Sequence, residues 1–120
     1  MESKVIINEK EIGLKMSAAI PRIYRQKHNE DIIVAMNAMQ ERLMSLPLKE
    51  RAFNADEENM LETLAHACHK HADPNQPDDV VEWLSQFEVS ELDKILFEII
   101  KLWNEDNVQL STAKKKTEEQ

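Results

Sequence analysis

Alternating apolar and polar residues at the beginning of the chain predict a short β-hairpin. Residues 4–7 and 11–16 are expected to form two strands around Asn8-Glu9-Lys10, where Asn8 is a residue type common in turns. The apolar side chains of the two strands are Val5, Ile7, Ile12 and Leu14. Because a two-stranded sheet is only marginally stable alone, we expect it to pack on helices or to join the sheet of another chain.

Beyond Ser17 the apolar residues recur at helical spacing, and two helices are predicted in the first half of the chain. Pro21 is expected in the first turn of the first helix, since its missing N–H would have no partner there, with Ser17 as an upstream cap. The polar cluster at residues 28–31 predicts a helix break. The second helix is expected from about Asn29 to Ser45, because Pro47 ends it.

Three further helices are predicted in the second half. Asn54, followed three residues later by a glutamate, is the signature of a capping box, and the helix it starts ends before Asp73-Pro74. A short helix is expected at residues 78–87, and a last long helix begins at a cap formed by Ser90 with Asp93. The apolar stripe of this last helix has a 3.6-residue period and consists of Leu92, Ile95, Leu96, Ile99, Leu102 and Trp103.

Together these segments predict an α+β protein that is mainly α, with a short N-terminal β-hairpin followed by four or five packed helices and a disordered C-terminal tail. At 120 residues the chain is long enough for one hydrophobic core, so a single domain is expected at residues 1–107. After Asn104 the sequence becomes polar, which predicts a flexible tail at residues 108–120.

The second predicted helix has an apolar band wider than one core contact requires. One face carries Ile32, Met36, Met39 and Leu43, and Ile33, Gln40 and Met44 lie to its side. Methionine fills irregular cores, but it also lines adaptable binding surfaces. We therefore predict a partner or self-association surface with four members: Ile33, Met36, Met39 and Met44.

The net charge of −8 is concentrated in the second half of the chain, where residues 52–110 carry three basic and fourteen acidic side chains. An acidic surface repels phosphate backbones, so general nucleic-acid binding is disfavoured. No apolar run approaches the roughly 20 residues that span a bilayer, and the first residues lack a secretory signal. The lone cysteine, Cys68, suits a reducing compartment. We therefore expect a cytoplasmic protein with no membrane and no nucleic acid among its partners.

The segment from His66 to His71 contains cysteine and histidine, residue types that bind zinc. Helical spacing, however, directs Cys68 to the apolar stripe and His66 and His69 to solvent, so one helix cannot bring them to one ion. The acidic pairs of the chain lie in the first turns of helices, where the helix dipole already favours them. Without a glycine-rich phosphate loop or an activated nucleophile, we expect no catalytic residues, no metal, no cofactor and no enzymatic activity.

Four aromatic residues of the second half are candidates either for the core or for anchors that hold a partner: Trp83, Phe87, Phe97 and Trp103. Aromatic side chains dominate interface hot spots, but at helical spacing they more often fill a core. We therefore expect these four residues in the core.

The order of these features resembles the tail assembly chaperones of siphophages and of prophages in Gram-positive bacteria. The segment from Ala18 to Ile32 is similar to the family's run Ala-Gly-x-Pro-x-x-Tyr-Arg-x-x-Phe-Gly-x-Asp, with departures at Ala19, His28 and Asn29. The second half has the same succession of a helix stop, a short aromatic helix, a long amphipathic helix ending in tryptophan, and a lysine run at Lys114–Lys116. The resemblance covers roughly residues 4–116.

The resemblance implies the short form of such a chaperone. Members of the family coat the long, largely helical tape measure protein, keep it soluble and help to recruit tail tube subunits during tail assembly. The implied mechanism is reversible burial of apolar client surface without a chemical step, and many copies along one client imply a homo-oligomer. The expected location is the cytoplasm of the bacterial host and not the mature virion.

Two other functions remain open from the sequence. A small helical DNA-binding regulator would need a basic recognition helix, and its only candidate residues in the sequence are Arg22, Arg25 and Lys27 near Tyr24. The other is a small bacterial adaptor protein unrelated to phage. The gene neighbourhood separates these functions, because a chaperone gene of this kind lies between a tube protein gene and a very long tape measure gene.

Overall fold

The computed structural model describes residues 2–7 and 9–118, with side chains described up to Glu105. It begins with strand β1 (Glu2–Ile7), which pairs in antiparallel register with β2 (Lys10–Lys15). Val5 lies opposite Ile12, and Glu9 in the turn has a left-handed backbone with φ of 68°. The predicted hairpin is confirmed, with strand limits that differ by one or two residues.

Five α-helices follow the hairpin in the described part of the chain: α1 (Ala19–His28), α2 (Ile32–Met44), α3 (Ala55–Ala72), α4 (Val80–Leu84) and α5 (Val89–Glu118). A short 3₁₀ turn at Leu48–Glu50 lies between α2 and α3. The α+β, mainly α architecture predicted from the sequence is therefore confirmed. Strand β2 packs on α3 and β1 packs on α5, so helices stabilise the hairpin as expected.

Local hydrogen bonds set the limits of α1, α2 and α3. Asn29 ends α1 in a left-handed conformation with φ of 53°, and Asp31 Oδ1 accepts a 3.0 Å hydrogen bond from the Ile33 N–H at the start of α2. At the start of α3, the Glu57 N–H donates to Asn54 Oδ1 at 2.8 Å and the Asn54 N–H donates to Glu57 Oε1 at 2.9 Å. The predicted helix break and the predicted capping box are confirmed.

Two other helix starts also depend on polar side chains. The Ser17 hydroxyl accepts a 3.2 Å hydrogen bond from the Ala19 N–H, one position upstream of the residue that precedes α1. The Asp79 carboxylate accepts a 2.9 Å hydrogen bond from the Glu82 N–H at the start of α4. Helix α4 therefore begins inside the segment 78–87 predicted for it and covers only the central part of that segment.

The start of α5 differs from the prediction. The helix begins at Val89, and the N–H of Glu88 donates to the Glu91 carboxylate at 2.8 Å. The predicted cap at Ser90 with Asp93 is therefore wrong. Glu91, three residues after Glu88, satisfies the backbone donor of Glu88, as the glutamate of a capping box does.

Helix α5 also differs from the prediction in length. The sequence loses its apolar periodicity after Asn104, whereas the helical backbone continues to Glu118. Side chains after Glu105 lie outside the described residues. The flexible tail expected at residues 108–120, and with it the domain limit at residue 107, therefore stays a prediction.

Side chains from the hairpin and from all five helices form one hydrophobic core. The predicted stripe of α5 supplies five of its buried residues: Ile95, Leu96, Ile99, Leu102 and Trp103. Fully burying a large aliphatic side chain contributes about 1.5–3 kcal/mol of transfer free energy. The stripe is therefore a main source of stability, and it fixes which side of α5 remains at the surface.

Candidate functional site

The surface predicted on α2 divides between the core and the solvent. Met36 and Met39 are buried, with 0% and 2% of their surface exposed, whereas Ile33 and Met44 keep 47% and 71% exposed. Ile33 and Met44 are eleven residues apart, close to three full helical turns, so they lie on the same side of α2. Of the four predicted residues, these two are therefore accessible to a partner.

Met44 lines an apolar groove of about 530 Å³ between the end of α2, the segment 51–53 and α5. The large apolar side chains of the lining come from all three parts and are Met39, Leu43, Met44, Phe53, Phe97 and Ile100. The polar side chains of the lining are Gln40, Arg51 and Asp93. A groove of this composition between two helices suits the apolar face of a third helix.

Phe97 is the exposed aromatic residue of the groove, with 69% of its surface accessible. It lies outside the buried stripe of α5, four residues after Asp93 and three before Ile100, so the three residues form a second line along the helix. The prediction that the aromatic residues belong to the core is confirmed for Trp83 and Trp103 and wrong for Phe97.

Arg42 fixes the segment that carries Phe53. Its guanidinium donates from Nε to Glu57 Oε2 at 2.8 Å and also donates to the Ala52 carbonyl at 2.6 Å. The Nε–H of Arg51 donates to the Leu46 carbonyl at 3.0 Å. The Arg42 guanidinium lowers the pKa of the Glu57 carboxyl, so the charged pair links the end of α2 to the start of α3 at neutral pH.

A second depression of about 640 Å³ lies between α1, α2 and α3, and its mixed lining includes the carboxylates of Glu30, Asp56 and Glu57. Arg42 also lines it, and the ion pair between Arg42 and Glu57 already satisfies these two side chains. Because the exposed apolar side chains Met44 and Phe97 belong to the groove between α2 and α5, we regard that groove as the candidate functional site.

The basic residues of α1, which a DNA-binding function would require, are exposed on the helix: Arg22, Arg25 and Lys27. Tyr24, the aromatic residue between them, is buried, and burial raises the pKa of its hydroxyl. Its ring lies 5.0 Å from that of His28, measured between centroids. The tyrosine is therefore part of the core and not a platform on which a base stacks.

His66 and His69 are buried, and the prediction that they face solvent is wrong. The Trp83 Nε1–H donates to His69 Nδ1 at 2.9 Å, and His66 Nε2 donates to the Pro77 carbonyl at 2.7 Å. Phe87 is half-buried with its ring edge-on to Trp83, at 5.1 Å between centroids. Burial lowers the pKa of both histidines, so both are neutral at pH 7. Helix α4 and the loop before it therefore cover this face of α3.

Cys68 is fully buried in the apolar stripe of α3, as predicted. Burial raises the pKa of its thiol to about 12, so the reactive thiolate does not form at neutral pH. Within the part of the chain that the structure describes, no three histidine, cysteine, aspartate or glutamate side chains are grouped so that they could hold a metal ion.

Comparison of this chain with protein-family models, with curated proteins and with solved structures gives no match. Among the described residues, no helix is both long enough and apolar enough to cross a membrane. The candidate site is therefore defined by the geometry and exposure of the groove residues alone.

Proposed function

We propose that this protein is a phage tail assembly chaperone that binds helical segments of the tape measure protein, keeps that protein soluble and helps to recruit tail tube subunits. The observation that carries the proposal is the apolar groove between α2 and α5, which brings the exposed side chains of Met44 and Phe97 together. The ordered sequence features that resemble this family support the same function.

The proposed mechanism is reversible burial of apolar client side chains in the groove. Removing a large apolar side chain from water is worth about 1.5–3 kcal/mol, and association opposes this gain with lost rotational and translational freedom. One groove that takes two or three client side chains therefore binds weakly. Many copies along one extended client give a stable coat that subunit assembly can still displace.

A charge at Phe97 is expected to destroy client binding. When Phe97→Asp is co-expressed with the tape measure protein from the same phage genome, the client should shift from the soluble fraction to the pellet. Removing a hot-spot aromatic residue costs about 2 kcal/mol or more, so affinity for soluble client fragments should fall by about thirtyfold or more. The measurements are the soluble fraction after centrifugation and the Kd for client fragments.

The matched control is Val81→Asp, which places the same charge at an exposed apolar residue of α4 outside the groove. Both variants should unfold at the same urea concentration as the parent protein, because both positions are exposed. If the client stays soluble with Phe97→Asp, the groove is not the client-binding site. A tape measure protein that is equally soluble without any chaperone would contradict the function.

Self-association is the second expected property, and the exposed side of α2 is the surface that supports it. Met44→Glu is expected to shift the oligomer toward monomer, whereas the buried Met36 is unsuitable for this test because a charge there would disrupt the core. Sedimentation velocity at tens of micromolar measures the distribution. A parent protein that is only monomeric at this concentration would contradict the prediction.

A further inference from the structure

The groove between α2 and α5 combines projecting and recessed apolar side chains. Met44 and Phe97 project into solvent, with 71% and 69% of their surfaces exposed. Leu43, Phe53 and Ile100 line the same groove and are half-buried. A surface of this kind can match a copy of itself, because a two-fold axis places the projecting residues of one copy against the recessed residues of the other.

The charged lining of the groove is also self-complementary. It consists of Arg51, in the segment before α3, and Asp93 on α5, and both side chains are exposed. Lys49 and Glu50, which precede Arg51, have opposite signs and do not line the groove. No charged residue lies three or four positions from Asp93 on α5. The groove therefore presents one basic and one acidic side chain.

Neither of these two charges is neutralised by the described part of the chain. The three ion pairs between described side chains involve other residues. The Nε–H of Arg51 donates to the backbone carbonyl of Leu46, which carries no net charge. Both Arg51 and Asp93 are therefore available for an ion pair with a partner that covers the groove.

From these two patterns we propose that, in the absence of client, the groove is covered by the same groove of a second copy in a two-fold symmetric dimer. In such a contact each interaction occurs twice. Phe97 of each copy enters the recess beside Phe53 of the other, and Arg51 of each copy pairs with Asp93 of the other. The inference rests on the proposed function, because client and second copy compete for the same groove.

A dimer of this kind is weak and dissociates readily. Ten residues line the groove, whereas a standard interface has about 20–30 residues per partner. The dimer removes the exposed apolar side chains from water while no client is present, and its weakness lets a client displace the second copy. Because a symmetric contact closes on itself, this surface forms dimers and not longer chains.

Charge reversal followed by mixing tests the pairing of Arg51 with Asp93. Arg51→Glu and Asp93→Arg each put like charges opposite one another twice in the dimer, so each variant alone should dimerise about tenfold more weakly than the parent. When the two variants are mixed, both contacts of the mixed dimer again join opposite charges, and dimerisation should recover. Sedimentation velocity at tens of micromolar measures this, and urea midpoints equal to that of the parent show that the variants are folded.

The matched control reverses the same signs outside the groove. Arg22→Glu on α1 and Glu82→Arg on α4 change exposed side chains that do not line it. Neither control variant, alone or mixed, should change the fraction of dimer. A monomeric parent protein, equal effects of the groove and control variants, or a mixture as weak as its two components would overturn the inference.

Competition with client separates failure of this inference from failure of the proposed function. Soluble fragments of the tape measure protein should lower the fraction of dimer in the same sedimentation experiment. If the fragments bind and the dimer persists, or if charge reversal has no effect, the symmetric dimer is wrong and the client groove stands. If mixing restores the dimer but the client stays soluble with Phe97→Asp, the dimer stands and the proposed client site is wrong.

Discussion

Trp103→Ala is expected to lower the free energy of unfolding by about 3–5 kcal/mol. Only 4% of the Trp103 surface is exposed, and the side chain lies in the core together with the buried residues of α5. Replacing it by alanine removes a large apolar surface and leaves a cavity that the surrounding helices fill only in part. Since small domains are stable by only about 5–15 kcal/mol, the variant should be close to unfolding.

Urea denaturation followed by far-ultraviolet circular dichroism measures this loss without depending on tryptophan fluorescence. Trp103→Phe is the matched control. The Trp103 Nε1–H is buried and has no hydrogen-bond partner among the described residues, so phenylalanine keeps the ring and removes an unpaired donor. The phenylalanine variant should therefore lose much less stability than the alanine variant. An alanine variant with the urea midpoint of the parent would show that Trp103 is not a core residue.

The helices were predictable because periodicity is a local property of the sequence. The stripe from Leu92 to Trp103 has one clear apolar face, and the structure buries that face. The capping box at Asn54 and the break near Asn29 are also local, since each depends on a few neighbouring residues and their hydrogen bonds. Where two local signals compete, as at Glu88 and Ser90, the sequence does not decide which polar group starts the helix.

The histidines show what periodicity cannot predict. The spacing of α3 places His66 and His69 outside the apolar stripe and predicts that they face solvent, and the sequence alone gives no reason to bury them. In the structure a segment that begins after Asp73 returns over α3 and brings Trp83 to His69. The available signal was Trp83 in a short apolar helix, because the indole N–H of a buried tryptophan needs an acceptor.

The candidate groove was predictable only in part for the same reason. The sequence shows that α2 has a wide apolar band, but not which side of that band its neighbours cover. Met36 is covered by the core, and Met44 lies at the edge where α2 faces α5. Phe97 was detectable, because it lies outside the stripe of α5. Phe53 was not, because its position depends on the hydrogen bonds of Arg42 to Ala52 and Glu57.

Acidification from pH 7.5 to 5 is expected to destabilise the protein through His66 and His69. Burial lowers the pKa of each histidine below its ordinary value of 6.5, more than the nearby Asp73 and Asp78 raise it. Lys27 and Lys70 lower the pKa of His66 further, and His66 lowers that of His69. Both histidines therefore become protonated at a higher pH in the unfolded chain than in the folded chain.

The sign of the effect follows from this difference. Stability from the neutral histidines is fully present above pH 6.5 and is lost as the pH falls below it, by up to about 1.4 kcal/mol per pH unit for each proton. Carboxyls with a lowered pKa, such as Glu57, lose their contribution at lower pH, since their ordinary values lie near 4. Urea midpoints at half-unit steps between pH 7.5 and 5 measure the histidine contribution within its own pH range.

His69→Gln is the variant that assigns this dependence. The indole of Trp83 is only a donor, so His69 Nδ1 must remain unprotonated to accept from it, and protonation sets two donors against each other. Glutamine offers an acceptor oxygen that does not titrate. We therefore expect the free energy of unfolding of the His69→Gln protein to fall less steeply between pH 7 and 5 than that of the parent, by up to about 1.4 kcal/mol per pH unit, which corresponds to one proton. The indole N–H resonance of Trp83 in this variant should stay unchanged over that range. If the slope is the same as in the parent protein, protonation of His69 does not cause the loss of stability, and the pH dependence belongs to other groups.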